Sequence, residues 1–275
     1  MPHNKYNYVF YDLETNGLDY YTTGIMQITL LDITGNVIIN QYVYPFDHRI
    51  DGTSIHGIDE QKLIDNKAIE THDLCNLLNT TLKKEFGTTD PIYLIGYNNF
   101  GYDQIILENN FKICNIPIYE NLLFIDIYPI IRELYHTMKP NFKLATVYEN
   151  LCSNPDIKTE DIQFHCALAD TKCLYEIYKI IEDKNYILEK YTRPLLQKGL
   201  ILNSPICTIQ GYFEKLGLEK KNIKTIGDLY DVFKKSKYDE DDFELFLKYK
   251  LNIYSNYVYD NFKKQMKIIF YFLYN

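Results

Sequence analysis

Apolar and polar positions along this 275-residue chain change period several times. Tyr8-Val9-Phe10-Tyr11 is a compact run of β-forming residues that leads into Asp12, and it predicts a strand. Ile25 to Ile33, opened by Gly24, predicts a second strand. Thr34-Gly35-Asn36 is a turn signal, and Val37 to Tyr44 alternates until Pro45 stops it, so three strands form a short meander. From Asp59 to Phe86 the spacing becomes helical, enough for two helices, with Gly87 as the stop. Ile92 to Gly96 predicts a fourth strand and Leu122 to Ile125 a fifth, ending near Asp126. Between them, Tyr102 to Phe111 predicts a helix with Ile105, Ile106 and Leu107 facing inward. Pro129 to Tyr135 and Phe142 to Leu151 predict short helices. Ala167 to Ile181 predicts a longer one through Leu168, Leu174, Ile177 and Ile181.

A meander followed by strand–helix alternation predicts an α/β domain, a mixed five-stranded sheet flanked by helices, over residues 1–185. The remainder, 186–275, predicts a small, mostly α-helical extension broken by Arg193-Pro194, Ser204-Pro205, Gly211 and Gly217. Within it, Thr225 to Lys234 reads as a capped helix, with Asp228 early and Lys234 late to suit the helix dipole. Lys237 to Asp242 reads as a charged hinge, and the last 20 residues are amphipathic and rich in Tyr and Lys.

Composition narrows the class. A hydrophobic share of 46% excludes a mostly disordered chain. The sequence has no apolar run of about 18 residues, so no membrane-spanning helix is expected. The start, Met1-Pro2-His3-Asn4-Lys5, lacks the apolar stretch of a secretory signal. Six Cys without a Cys-x-x-Cys pair read as reduced core residues. The expectation is a protein that is not secreted, cytoplasmic by default, with the nucleus or a viral factory as alternatives. Richness in Tyr, Ile, Asn and Lys suits an A/T-rich source genome.

The formal charge of −8 argues at first against a nucleic-acid partner. The charge is uneven, however. Residues 1–185 hold 14 Lys+Arg against 26 Asp+Glu, a balance of −12, whereas 186–275 hold 15 against 11, a balance of +4. The basic extension would suit a strand-guiding surface with stacking aromatics. The simpler reading is a stabilising helical cap, or a contact with a protein partner or a second copy.

Three groups of residues carry candidate chemistry. In Asp12-Leu13-Glu14, strand alternation points both carboxylates the same way, about 7 Å apart along the strand. Such a pair needs a cation, although two exposed carboxylates on an edge strand are the commoner case. Asp103 follows Gly96-Tyr97-Asn98-Asn99-Phe100-Gly101-Tyr102 at a helix start, where it reads as an N-cap or as a site carboxylate. Asp170 lies one turn after Ala167 and one before Leu174, and a carboxylate among apolar positions is costly without a partner. His165 stands just before that helix; by itself it reads as a surface residue. Taken together, four carboxylates and a His suit two divalent ions about 4 Å apart and phosphodiester hydrolysis, with His165 as general base.

These residues resemble the DnaQ-like, or DEDDh, 3′–5′ exonucleases. Their first motif is matched by Phe10 to Leu18, the second by Gly96 to Asp103 and the third by His165 to Asp170. The second has the form found in bacterial exonuclease I; Tyr97 stands where many relatives carry His. Ile55-His56-Gly57-Ile58 is similar to a segment that lines the family's substrate groove. Phe124-Ile125-Asp126 followed by Lys143-Leu144-Ala145 is similar to the stretch before the third motif.

The resemblance implies an RNase H-like fold over about residues 6–184. It implies that Asp12, Glu14, Asp103 and Asp170 bind two Mg²⁺ or Mn²⁺ ions, with His165 as the base. It implies that a 3′-terminal nucleotide rests on Thr15, Asn16, Gly17 and Leu18 and on the segment of His56, with Asn98 in support. Asp126 is either a fifth carboxylate or, more simply, a helix cap. The expected partner is a single-stranded 3′ end, DNA slightly favoured, released as nucleoside 5′-monophosphates. The alternatives are an exoribonuclease trimming RNA ends and a non-catalytic nucleic-acid-binding or adaptor module on the same fold.

Overall fold

The computed structural model describes residues 6–138, 140–152, 163–182, 188–196, 222–238 and 245–251. The chain divides into two compact units, residues 1–187 and 188–275.

The first unit opens with β1 (Asn7–Thr15), β2 (Ile25–Leu31) and β3 (Val37–Tyr44), paired antiparallel in sequence. Two short helices follow, α1 (Thr53–His56) and α2 (Glu60–Asp65), then β4 (Ile69–Glu70) and α3 (Thr71–Phe86). The alternating half comprises β5 (Ile92–Gly96), α4 (Asp103–Ile113), β6 (Leu122–Asp126), α5 (Ile127–Leu134), α6 (Leu144–Leu151) and α7 (Ala167–Glu182). The strands lie in the order β4-β3-β2-β1-β5-β6, with β5 parallel to β1 and β6 parallel to β5. This is the mixed α/β, RNase H-like architecture expected. The five expected strands are joined here by a further one: β4, only two residues long, pairs parallel with Val43 and Tyr44. A two-residue strand carries no periodicity, so the sequence pattern had nothing to register there.

Both faces of the central sheet are covered. Every residue of β2 and β5 is buried, which suits their unbroken apolar runs. On one face Phe10 packs edge-on against Tyr175 and Tyr178 of α7, with ring centroids 5.3 and 4.8 Å apart. On the other, Tyr11 faces Phe124 and shares a core with Leu78 and Leu82 of α3 and Leu107 and Phe111 of α4. Helix α3 buries Leu74, Cys75, Leu78 and Leu82 on one stripe, and Gly87 ends it at φ 76.

Helix α4 departs from the expected amphipathic pattern: Asp103 through Phe111 are all buried. Its polar residues are paired. Gln104 Nε2 donates to Glu108 at 2.8 Å, and Asn109 Nδ2 donates to the carbonyls of Tyr20 and Tyr21. Asn110 Nδ2 donates to the Thr23 carbonyl at 3.0 Å, and its Oδ1 accepts from the Ile25 N–H. The helix thus holds the long turn after β1 by amide hydrogen bonds from a fully buried side. Asn110→Ala is expected to destabilise the unit by about 1–3 kcal/mol, because it strands two buried backbone groups. Urea unfolding would check this, with the exposed Asn76→Ala as a near-neutral reference.

In the second unit Leu188–Tyr191 forms a 3₁₀ turn before β7 (Thr192–Pro194), and α8 spans Ile226–Lys234. Thr225 caps α8 as expected: its hydroxyl accepts from the Asp228 N–H, and the Asp228 carboxylate accepts from the Thr225 N–H. Phe233 of α8 meets Phe246 with ring centroids 5.1 Å apart. Most of 186–275 lies outside the described residues, including positions 239–242 of the expected charged hinge and the Tyr- and Lys-rich final 20 residues.

Candidate active site

The site forms where β1 outruns its neighbour. The β1–β5 ladder covers Asn7 to Phe10, so from Asp12 onward β1 keeps, among the described residues, a strand partner in β2 alone. Asp12 lies opposite Thr29 and Glu14 opposite Gln27. The backbone edge left open by β5 is met by α4: the Asp103 carboxylate accepts a hydrogen bond from the Leu13 N–H. Asp103 is the first residue of α4, the cap position before it belongs to Tyr102, and its carboxylate also accepts from its own backbone N–H, so it bridges the helix start and β1.

From the other side α7 brings in Asp170. Single oxygens of Asp12, Glu14 and Asp170 all lie within 4.8 Å of one another. Asp170 Oδ2 accepts from the His165 N–H at 3.0 Å, whereas its Oδ1 is buried with no hydrogen-bond partner among the described residues. His165 adopts φ 64, a left-handed turn that lets its N–H fold back onto Asp170, and its side chain is exposed.

The electrostatics are those of a buried, mutually repelling carboxylate cluster. Burial and then Asp170, Asp103 and Glu14 push the Asp12 carboxyl well above its ordinary range, although part of the residue is exposed. Burial, then Asp170 and Asp103, raise Glu14 to about 8, against a small opposing pull from Lys62. Asp103 is raised by burial first and by Asp126 and Asp170, with its own backbone N–H and then the Leu13 N–H opposing. Asp170 is raised by burial, with the His165 N–H opposing. Four acids that all resist ionisation side by side, one with an orphaned buried oxygen, fit a bound divalent cation.

The turn after β1 is tightly fastened. The Tyr102 hydroxyl donates to the Gly17 carbonyl and lies 2.6 Å from Thr15 Oγ1. Asn16 is buried, its Nδ2 donating to Asp47 Oδ1 and the Arg49 carbonyl, and its Oδ1 accepting from the Gly24 N–H at 2.7 Å. A side chain at Gly17 would meet Thr23 Oγ1 at 3.0 Å. Out of this rigid turn Leu18 projects with 83% of its surface exposed.

His56 is buried in α1, and both its ring nitrogens are engaged. Nδ1 accepts from the Ile58 N–H at 3.0 Å, so Nε2 carries the proton and donates to the Asp51 carbonyl. This is a neutral ring that shapes its own segment, while Ile55 beside it is exposed.

Asn98 is exposed at φ 58 and its N–H donates to Asp126. The buried amide of that pair is Asn99, whose Nδ2 donates to the Ile125 carbonyl at 2.9 Å. Asp126 caps α5 through the Tyr128 N–H and also accepts from the Asn98 and Phe100 N–H groups. Sequence reasoning missed Tyr102, Asn99 and the Asn109–Asn110 pair. The last had a signal, two adjacent amides inside an otherwise apolar helix.

This fold and this acidic site define a nuclease. The family model described as RNase_T, Exonuclease, matches residues 9–178, and the chain belongs to that DnaQ-like exonuclease family. It is similar to Exonuclease DPD1, chloroplastic/mitochondrial, of Arabidopsis thaliana, 26% identical over 174 residues, covering 61% of this chain and 54% of that protein. Solved structures that share its fold include the zinc-bound form of the E. coli exonuclease I–single-stranded DNA complex, with TM-score 0.55 and 18% identity, covering 68% of this chain and 43% of that one. Exonuclease I from E. coli bound to a dA16 oligonucleotide is similar at TM-score 0.52 and 18% identity, covering 65% and 41%. The chain thus spans about half the length of the Arabidopsis relative and less than half of the exonuclease I chains.

Proposed function

We propose that the protein is a metal-dependent 3′–5′ exonuclease that shortens single-stranded ends, DNA in preference to RNA, and releases nucleoside 5′-monophosphates. The observation that carries this reading is the Asp12–Glu14–Asp170 trio, with its orphaned Asp170 oxygen and Asp103 alongside. These four carboxylates would hold two Mg²⁺ or Mn²⁺ ions, which when bound supply a water activated for attack and charge stabilisation at the leaving oxygen. His165, anchored by its backbone to Asp170 and exposed at the ring, takes the proton of the attacking water on an imidazole nitrogen. The rigid turn from Thr15 to Leu18 offers the terminal nucleotide the Leu18 side chain on one flank, and Ile55 beside His56 offers another apolar surface.

End-labelled oligonucleotides test polarity and substrate together. A 5′-labelled single strand in Mg²⁺ is expected to give a ladder that shortens stepwise, whereas a 3′-labelled one releases labelled mononucleotide at once. Immediate loss of a 5′ label as mononucleotide would overturn the polarity. A matched RNA strand degraded faster than DNA would move the substrate reading to exoribonuclease.

A further inference from the structure

We propose that Gln27 is a positioning residue for the metal site, setting where Asp170 stands relative to Glu14; the inference rests on the metal-nuclease reading above. Gln27 is 1% exposed in the central strand β2 and lies directly across from Glu14. A buried amide is costly unless both its ends are paired, and both are. Oε1 accepts from the Ala167 N–H at 3.3 Å, and Nε2 donates to Asn40 Oδ1 at 2.9 Å, which also accepts from Thr29 Oγ1. The partners fix the amide's orientation: its oxygen faces a donor and its nitrogen an acceptor.

The bond to Ala167 spans 140 residues and ties the first residue of α7 to the sheet. The first N–H groups of a helix have no partner within it, so this one is a handle on the helix start. Asp170 lies three residues on, less than one turn later, and its own N–H is fixed by the Cys166 carbonyl. Where Gln27 holds Ala167, Asp170 is carried to within reach of Asp12 and Glu14, its Oδ2 pinned by His165 and its Oδ1 left for the ion. Gln27 therefore links, through one side chain, the strand position facing Glu14 and the helix that supplies the third carboxylate.

Two substitutions separate this role from packing. Gln27→Met keeps the volume and removes the acceptor. Gln27→Glu keeps the acceptor for the Ala167 N–H, and the exposed Asn40 amide can turn to donate to it. Mn²⁺ binding to the full chain, titrated by calorimetry at pH 8, is expected to weaken about tenfold or more in Gln27→Met. It is expected to weaken by no more than about 1.5-fold in Gln27→Glu, whose added carboxylate faces Glu14 and attracts the cation. At saturating Mn²⁺ the Met variant should recover turnover with an unchanged KM for the oligonucleotide. Equal affinities in all three proteins, or equal losses in both variants, would overturn the proposal. If Gln27→Met does not fold, Asn40→Ala carries the test: it frees Nε2 at the exposed end, an affinity loss of about threefold is expected, and none would overturn the role. Failure of the unsubstituted protein to bind Mn²⁺ would instead remove the metal-nuclease reading itself.

Discussion

Asp12→Asn is expected to lower exonuclease turnover by about 10³-fold or more while making the metal-free protein more stable. The two effects have one cause. Asp12 sits on β1 opposite Thr29, and its carboxyl is pushed up by burial and by Asp170, Asp103 and Glu14. The amide keeps the shape and removes both a metal ligand and a like charge. Two unit charges 4 Å apart interact by about 4 kcal/mol at an effective dielectric near 20, so relieving part of that repulsion is worth on the order of 1 kcal/mol or more. In a unit of this size each kcal/mol moves the midpoint by roughly 2–4 °C. Turnover on a labelled single strand and metal-free thermal unfolding at pH 8 give the two readouts. A variant that is inactive and less stable would make Asp12 a structural residue. A variant that is fully active would remove the catalytic reading.

That pairing of activity against stability shows which parts of the site the sequence could reveal. Asp12 and Glu14 were legible because a strand has a period of two, which puts the pair on one face, and because an apolar run before it and a glycine turn after it set the pair apart from an ordinary exposed edge. Asp170 was legible for the same energetic reason, a charge placed among helix positions that are otherwise apolar. Asp103 was ambiguous, since an acid at a helix start caps as readily as it binds. The distinction lies in the Leu13 N–H that β5 leaves unpaired, 90 positions earlier in the chain, and no local pattern encodes that.

The supporting residues were illegible for a related reason. Asn110 bonds to Thr23 across 87 residues, and the Tyr102 hydroxyl reaches Gly17 across 85. His56 resembles a substrate-groove residue in sequence, and the fold engages both its nitrogens with Asp51 and Ile58 two to five residues away. Its buried neutral ring and the buried acids of the site pull the protein's pH response in opposite directions, which leads to a second large effect.

Between pH 6.5 and 8 the metal-free protein is expected to lose stability as pH rises, and saturating Mn²⁺ is expected to restore it. Glu14 has an ordinary value of 4.5 and stands at about 8 in the fold, and Asp12, Asp103 and Asp170 move the same way. In this interval the folded state holds protons that the unfolded chain has already released, so stability falls with pH. The contribution is full below about 4.5 and is gone once pH passes about 8. The Glu14 shift alone corresponds to roughly 5 kcal/mol as an upper figure. His56 acts with the opposite sign: burial holds its ring below the ordinary 6.5, so it costs stability where the unfolded ring is protonated and nothing above that. The interval above 6.5 therefore isolates the acids. Cation binding competes with those same protons, so the gain from Mn²⁺ should be larger at pH 8 than at pH 5.5. Thermal unfolding with EDTA and with Mn²⁺ at pH 5.5, 6.5 and 8 measures both slopes. A metal-free midpoint that is flat or rises from 6.5 to 8, or a Mn²⁺ gain that shrinks with pH, would show that the four carboxylates are not the cation-seeking cluster their geometry describes.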